Sequence, residues 1–237
     1  MQLSVFPHDF SPEAAHAVCD VPDAWLRLWR RAALVERQES THSERFSLLP
    51  VVREYSTRRL GDDRAQRQYR FVAYFRQLAV DNEDINDIAR LAVFDAEWRN
   101  VFGALALADA INDHAAYRVM AAAVDPFVRR RWLLAEYQPL LLRAVQIGEA
   151  TLGPEHPDVA GSLNNLAELY RAQGRYAEAE PRYQRALAIV EKVLGPEHPN
   201  VATILGNYVA LLRATNRNEE AERLETHAQT RNSTTPQ

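Results

Sequence analysis

The chain has 237 residues, of which 47% are hydrophobic and 25% are charged, and its formal net charge is −4. This is the composition of an ordinary soluble chain, and its charge gives no overall basic field for nucleic acid or anionic membrane. Cys19 is the only cysteine, which excludes an intrachain disulfide. Since the sequence also shows no signal peptide and no spanning segment, we expect a cytoplasmic protein.

The first predicted elements are short helices followed by a hairpin. Ser11 and Pro12 suit a helix start, as a capping residue and a first-turn proline, and a second helix is predicted from about Pro22 to Arg31. The runs "ALVER" and "RFSLLP" flank the polar "QESTHSE" and predict a β-hairpin. A further helix from Val51 to Leu60 ends at Gly61. Helices with a two-stranded wing predict a winged-helix domain over residues 1–66.

This segment resembles the winged helix that follows the nucleotide-binding module in signalling ATPases of the NB-ARC, or STAND, type. The matching residues are Leu3, Val5, Phe6, Phe10, Ser11, Ala14, Ala15, Val18, Ala33, Leu34, Val35, Arg45, Phe46, Ser47, Leu48, Leu49, Val52, Arg53, Glu54 and Tyr55. The next segment, assigned to residues 67–114, resembles the helical connector of that family through Leu91, Glu97, Asn100, Ala104, Leu105 and Ala108. The resemblance implies the regulatory and sensor half of such an ATPase.

The motif that would bind nucleotide is missing from the sequence. Phosphate-binding loops read G-x-x-x-x-G-K-[ST], and the nearest approach, "GEATLGPE" from Gly148, lacks the lysine and the hydroxyl residue. We therefore expect no cofactor and no enzymatic activity. The chain would then be a split gene product, a fragment or a decayed copy. Alternatively, it could serve as a subunit of an ATPase whose nucleotide-binding chain is supplied in trans.

An internal repeat fills the C-terminal part of the sequence. "LGPEHPDVA" from Leu152 recurs as "LGPEHPNVA" from Leu194, 42 residues later. Between the copies, two apolar stripes with helical spacing flank Gly174, which predicts a helix, a tight turn and a second helix. The stripes consist of Leu163, Leu166, Ala167 and Tyr170, then Tyr176, Ala179, Tyr183, Ala186, Leu187 and Val190. A period of this length is typical of helical repeat arrays.

The pattern resembles tetratricopeptide repeats of the 42-residue kind found in kinesin light chains and bacterial regulators, and we assign it to residues 115–230. Trp132 and Asn216 stand where the middle unit has Gly174, and Glu225 replaces the usual aromatic residue, as expected of degenerate end units. Residues 231–237 are expected to form a disordered tail. The predicted fold class is mainly α, with a small winged-helix unit and β-hairpin followed by an α–α superhelix of tetratricopeptide repeats.

Catalytic and metal-binding patterns are not evident. His156 and His198 each follow a glutamate, but adjacent repeats should hold these loops about 10 Å apart, too far to share a metal ion. DNA binding is an alternative function, because the second helix carries Arg27, Arg30 and Arg31. We expect Trp25, Leu26, Leu28 and Trp29 to be buried, however, which would leave little of that helix for a DNA groove.

The favoured function is binding of a peptide or protein partner in a groove of the repeats. The resemblance places Asn165 at the position of an asparagine that hydrogen-bonds the peptide backbone, and Asn207 is its equivalent one repeat later. An amide suits this task because it offers both donors and an acceptor. Glu168, Arg171 and Arg213 are expected to lie near this groove.

Overall fold

The computed structural model describes residues 2–38, 44–58, 63–84 and 86–232, which form two compact units, 1–130 and 131–237. The elements of the first unit are a 3₁₀ helix Gln2–Val5, α1 Pro12–Cys19, α2 Asp23–Arg31, β1 Val35–Gln38, β2 Arg45–Leu48, α3 Pro50–Arg58, α4 Arg64–Asp81, α5 Ile88–Ala110, α6 His114–Ala123 and α7 Asp125–Arg131, whose last residue begins the second unit. The second unit continues with α8 Leu134–Leu152, α9 Pro157–Ala172, α10 Tyr176–Leu194, α11 Pro199–Ala214 and α12 Asn218–Asn232. None of these helices is both long and apolar enough to span a membrane.

The N-terminal helices and hairpin occur in the predicted order. The Ser11 hydroxyl accepts a hydrogen bond from the Ala14 N–H at 3.2 Å, which caps α1 as expected. β1 and β2 pair antiparallel with Val35 opposite Leu48, and Phe10 forms an additional bridge with Phe46. The predicted turn residues 39–43 and the predicted helix end at 60–61 lie outside the described residues. The winged-helix assignment of this arrangement stays a prediction.

The predicted burial of four large residues on α2 is wrong. Only Leu26 is buried, at 1% exposure, whereas Trp25 and Leu28 are 52% and 55% exposed and Trp29 is half-buried. The reason is geometric. Residues two apart on a helix point in nearly opposite directions, so Leu26 and Leu28 cannot face the same core. Because α2 packs on one side only, Leu26 is buried and Leu28 is left exposed to solvent.

A buried polar cluster attaches the hairpin to α5. The guanidinium of Arg45 on β2 donates to both carboxylate oxygens of Glu97, at 2.7 and 3.2 Å, and also pairs with Asp9. Asn100 donates to Glu97 Oε2 at 2.9 Å and to the carbonyl of Asp9 at 2.7 Å. Burial opposes the charge of Arg45, but the hydrogen bonds that it donates to Glu97 and Asp9, and the charges of these carboxylates, outweigh burial and raise the pKa of Arg45.

The repeat unit has the predicted helical pairs, and most of the predicted stripe residues lie in its core. The buried ones are Leu163, Leu166, Ala167, Tyr170, Ala179, Tyr183, Ala186 and Val190, while Tyr176 and Leu187 are half-buried. α9 packs against α10, and α11 packs against both α10 and α12. α12 includes residues 231 and 232, and the rest of the predicted tail lies outside the described residues.

The turns inside the three helical pairs share one backbone conformation. Trp132, Gly174 and Asn216, spaced 42 residues apart, have φ angles of 56°, 73° and 60°. All three therefore lie in the left-handed region, which glycine adopts readily and which asparagine tolerates better than tryptophan. This agreement supports the sequence alignment of the degenerate end units with the middle one, because the alignment was made without regard to backbone angle.

Candidate functional site

The two predicted asparagines lie at equivalent places on α9 and α11 and are linked through a third amide. The side-chain N–H of Asn207 donates to the side-chain oxygen of Asn164 at 3.0 Å. The side-chain N–H of Asn164 in turn donates to the side-chain oxygen of Asn165 at 3.4 Å. Asn164 is 8% exposed, whereas Asn165 and Asn207 are half-buried. An amide has two N–H donors and an accepting oxygen, so the bond to Asn164 occupies only part of the capacity of Asn207.

Asn164 is a positioning residue that the sequence interpretation did not assign to the site. It spans from its own helix to the equivalent helix of the next repeat, and it holds the amide of Asn207 in one orientation. The signal was present as the dipeptide Asn164-Asn165, which places one amide towards the core and its neighbour about 100° further round the helix.

Glu168 and Arg171 lie together on α9, but they bind each other. Arg171 donates from Nε and Nη2 to the two carboxylate oxygens of Glu168 at 2.9 and 3.0 Å, and the Tyr183 hydroxyl donates to Glu168 as well. The hydrogen bonds and charge of Glu168 raise the pKa of Arg171. Burial, reinforced by Glu168, raises the pKa of Tyr183, which stays a neutral donor. The charges of the pair compensate, so their net electrostatic effect on a ligand is small.

Arg213 is the more available of the two predicted arginines. It corresponds to Arg171 one repeat later, but it pairs with Glu225 on α12 at 2.9 Å and its side chain is 55% exposed. Exposed ion pairs contribute little and exchange readily with solvent. A carboxylate of a bound ligand could therefore replace Glu225 at little cost.

Two arginines make equivalent contacts between successive repeats. Arg175 and Arg217 each follow a left-handed turn residue, and each reaches back to the previous repeat. Arg175 donates to Gln138 at 2.8 Å, and Arg217 pairs with Glu180 at 2.7 Å, the residue equivalent to Gln138. These contacts recur with the 42-residue period, and they link α8 to the start of α10 and α10 to the start of α12.

The histidines of the repeated loops have a structural role. The Nδ1 atoms of His156 and His198 accept hydrogen bonds from the N–H groups of Asp158 and Asn200, at 3.1 and 3.2 Å, and so cap α9 and α11. Pro157 and Pro199 are the first residues of these helices, where the missing N–H of proline has no intrahelical use. Within the described residues, no three histidine, cysteine, aspartate or glutamate side chains are grouped in a way that could hold a metal ion.

Comparison with known proteins supports the repeat assignment. Residues 134–189 and 158–231 match the family model described as tetratricopeptide repeat. No curated protein matches the chain. Similar solved structures include BtubC (BKLC) from P. vanneervenii, at 17% identity and a TM-score of 0.43, covering 68% of this chain and 72% of that one. A putative kinesin light chain with nearly identical TPR-like repeats from Podosopora anserina is 21% identical with a TM-score of 0.47, covering 74% and 91%.

Of these findings, the family match concerns the C-terminal part of the chain. None of them supports the NB-ARC resemblance of the N-terminal part, which stays a prediction. The family match coincides with α8 to α12, with the 42-residue sequence period and with the recurring turn geometry. The C-terminal unit is therefore built from tetratricopeptide-like repeats.

Proposed function

We propose that the chain is a non-catalytic interaction module that binds an extended peptide segment of a partner protein along the face of α9 and α11. The observation that carries this proposal is the linked series of amides Asn165, Asn164 and Asn207, which runs from one repeat to the next. An extended peptide exposes backbone N–H and C=O groups at regular intervals, and amides held at a fixed spacing can pair with them without reading side chains.

The surroundings of the amides suit a peptide backbone. Gly161 on α9 and Gly206 on α11 have open space where a side chain would begin, so no side chain projects from the helix surface at these two positions. Glu168 and Arg171 compensate each other, whereas Arg213 offers an exposed positive charge at one side. We therefore expect moderate affinity from the backbone and a preference for peptides with an acidic residue near Arg213.

The test starts from a random-peptide library selected on the full chain. A selected peptide is titrated against the parent, Asn165→Ala and Asn207→Ala by calorimetry. One lost hydrogen bond is worth about 0.5–1.5 kcal/mol, so each variant should bind about 2- to 13-fold more weakly. Asn200→Ala is the matched control, because Asn200 is exposed on the first turn of α11.

Circular dichroism establishes that each variant is folded before binding is compared. If the folded double variant Asn165→Ala with Asn207→Ala binds the peptide as tightly as the parent, the assignment of the groove is wrong. Equal weakening by Asn200→Ala would also contradict it, since that residue lies two helical turns, or about 10 Å, before Asn207. Failure of the library to yield any peptide that the parent binds would count against peptide recognition as a whole.

We further propose that this module is the sensor part of a signalling ATPase. One contact supports this. Arg45 and Glu97 come from two separate segments of the resemblance, and they form one buried ion pair. The purified chain should release no phosphate from ATP, since its sequence has no phosphate-binding loop. Steady hydrolysis that persists through further purification, and that changes with substitution in this chain, would overturn the proposal.

DNA binding is a second candidate, favoured by one observation. Arg27, Arg30 and Arg31 are all exposed on α2, so the helix has more free surface than the sequence suggested. The exposed Trp25 and Leu28 on the same helix are less suited to a phosphate backbone. A titration with duplex DNA at low and high salt distinguishes DNA binding from the proposed peptide binding. Sequence-selective binding that weakens steeply with salt and is lost in Arg27→Ala with Arg30→Ala would establish this alternative.

A further inference from the structure

The N-terminal unit contains a small polar cavity apart from the peptide face. It has a volume of about 110 Å³ and lies between the 3₁₀ helix, the last turn of α3, the first turns of α4 and the last turn of α5. The lining residues are Ser4, Val5, Thr57, Arg64, Arg67, Gln68 and Leu107. None of these is acidic, and two are arginines.

Two buried polar atoms of the lining have no hydrogen-bond partner among the described residues. They are Nε of Arg67 and the hydroxyl oxygen of Ser4. Arg67 is only 9% exposed; its Nη2 pairs with Asp63 at 3.2 Å and its guanidinium also hydrogen-bonds the Cys19 side chain, which leaves Nε as its one buried donor without a partner in the described part of the chain. A buried donor without an acceptor is destabilising, more so when it is charged. An acceptor inside the cavity would therefore be held strongly.

The charge around the cavity favours an anionic acceptor. Arg64 and Arg67 lie in the first turns of α4, where the backbone dipole of the helix adds partial positive charge. Asp63 pairs with Arg67, but its side chain is 64% exposed, so solvent screens it. The hydroxyl of Thr57 donates to the Arg53 carbonyl, which leaves the two arginines, Ser4 and Gln68 as donors for a ligand.

The volume of the cavity limits which ligands it can hold. A single water molecule needs about 10–15 Å³ of such volume, so the cavity exceeds one water several times over. A tetrahedral oxyanion presents several acceptor oxygens at once and matches the forked donors of arginine.

We propose that this cavity binds a phosphate group, with Arg67 and Ser4 as its buried donors and Arg64 and Gln68 as its more exposed donors. The phosphate comes either as the free ion or as the end of a small phosphomonoester, because the donors recognise the group and not what is attached to it. This site is separate from the proposed peptide face, since it lies wholly within residues 1–130.

The experiment titrates inorganic phosphate into the full chain against chloride at matched ionic strength, followed by backbone amide resonances. Saturable shifts are expected at residues 4–5, 57 and 64–68. Arg64→Gln should weaken binding about tenfold, since it removes one charge-assisted hydrogen bond from an exposed side chain. Arg90→Gln is the matched control, because Arg90 lies in the first turn of α5, pairs with Asp87 and is 50% exposed.

Ser4→Ala tests the buried side of the cavity with a change that removes one hydroxyl. A parallel titration with O-phosphoserine separates the two sources, since shifts with phosphate alone indicate the free ion and shifts with both indicate a phosphomonoester. The proposal is overturned if phosphate causes no saturable shifts at these residues, as for a cavity that holds only water. It is equally overturned if Arg64→Gln, like the control Arg90→Gln, binds phosphate as tightly as the parent.

Discussion

The same substitution should change stability in opposite directions at two glycines of the repeats. Gly206 lies within α11 and Gly174 lies in the turn before α10, and a Cβ at either would meet no atom within 4 Å. Neither Gly206→Ala nor Gly174→Ala can therefore act through a clash. What remains is the backbone conformation, which is helical at Gly206 and left-handed at Gly174, with φ of 73°.

The two magnitudes follow from that difference. Alanine is favoured over glycine inside a helix by about 0.8–1.0 kcal/mol, so Gly206→Ala should raise the free energy of unfolding by about that amount. The left-handed conformation costs an alanine about 1–2 kcal/mol. Alanine also makes the unfolded chain less flexible than glycine does, which offsets about 0.4–1 kcal/mol of that cost. Gly174→Ala should therefore lower the free energy of unfolding by about 1 kcal/mol.

Urea unfolding of the full chain, followed by far-ultraviolet circular dichroism, measures both values. Trp132→Gly extends the series, because the tryptophan has φ of 56° and is 73% exposed, so glycine should relieve strain at the cost of few contacts. If Gly174→Ala stabilised the chain as Gly206→Ala does, the turn at Gly174 would not be left-handed. The shared turn geometry of the repeats would then be refuted.

Three further predictions concern particular side chains. Leu26→Ala should lower the free energy of unfolding by about 2–5 kcal/mol, whereas Leu28→Ala on the exposed side of α2 should change it by about 0.5 kcal/mol or less; similar losses in urea unfolding would contradict the one-sided packing of the helix. His156→Ala and His198→Ala should each cost about 1 kcal/mol, and asparagine should restore most of it, unless the histidines do not cap their helices. Because burial raises the pKa of Tyr183 above its ordinary value of 10.0, folding favours its neutral form, and stability should fall as pH rises above 10.0. Tyr183→Phe should flatten that decline, and an unchanged slope would show that other groups cause it.

The repeats could be predicted from the sequence because their determinants are local and periodic. Leu163, Leu166, Ala167 and Tyr170 have helical spacing, and the 42-residue period transfers each assignment to the next unit. The sequence did not indicate the caps at His156 and His198, because aspartate and asparagine, which also occur in this loop as Asp158 and Asn200, are the more usual capping residues. The contact between Asn164 and Asn207 was also missed, since it depends on the rotation of α9 relative to α11, which spacing does not define.

The N-terminal unit was less predictable because its key contacts are long-range. The hairpin, predicted from two short runs that flank a polar stretch, was confirmed by the pairing of β1 with β2. The pairing of Arg45 with Glu97, in contrast, joins residues 52 positions apart. The burial of α2 was overestimated because apolar residues at four of five successive positions do not show which face meets the core. The cavity beside Arg67 brings together four elements and has no sequence signature.

The measurement that tests the central claim most directly follows the side-chain amide resonances of the chain during titration with a selected peptide. Asn165 and Asn207 should show the largest side-chain shifts, and Asn164 should follow because it is hydrogen-bonded to Asn207. The exposed Asn200 on the same helix as Asn207 should not move. Shifts at Asn165 and Asn207 that saturate with the binding isotherm would support recognition of a peptide backbone by the amide series. Saturable binding that leaves both resonances unmoved would contradict it.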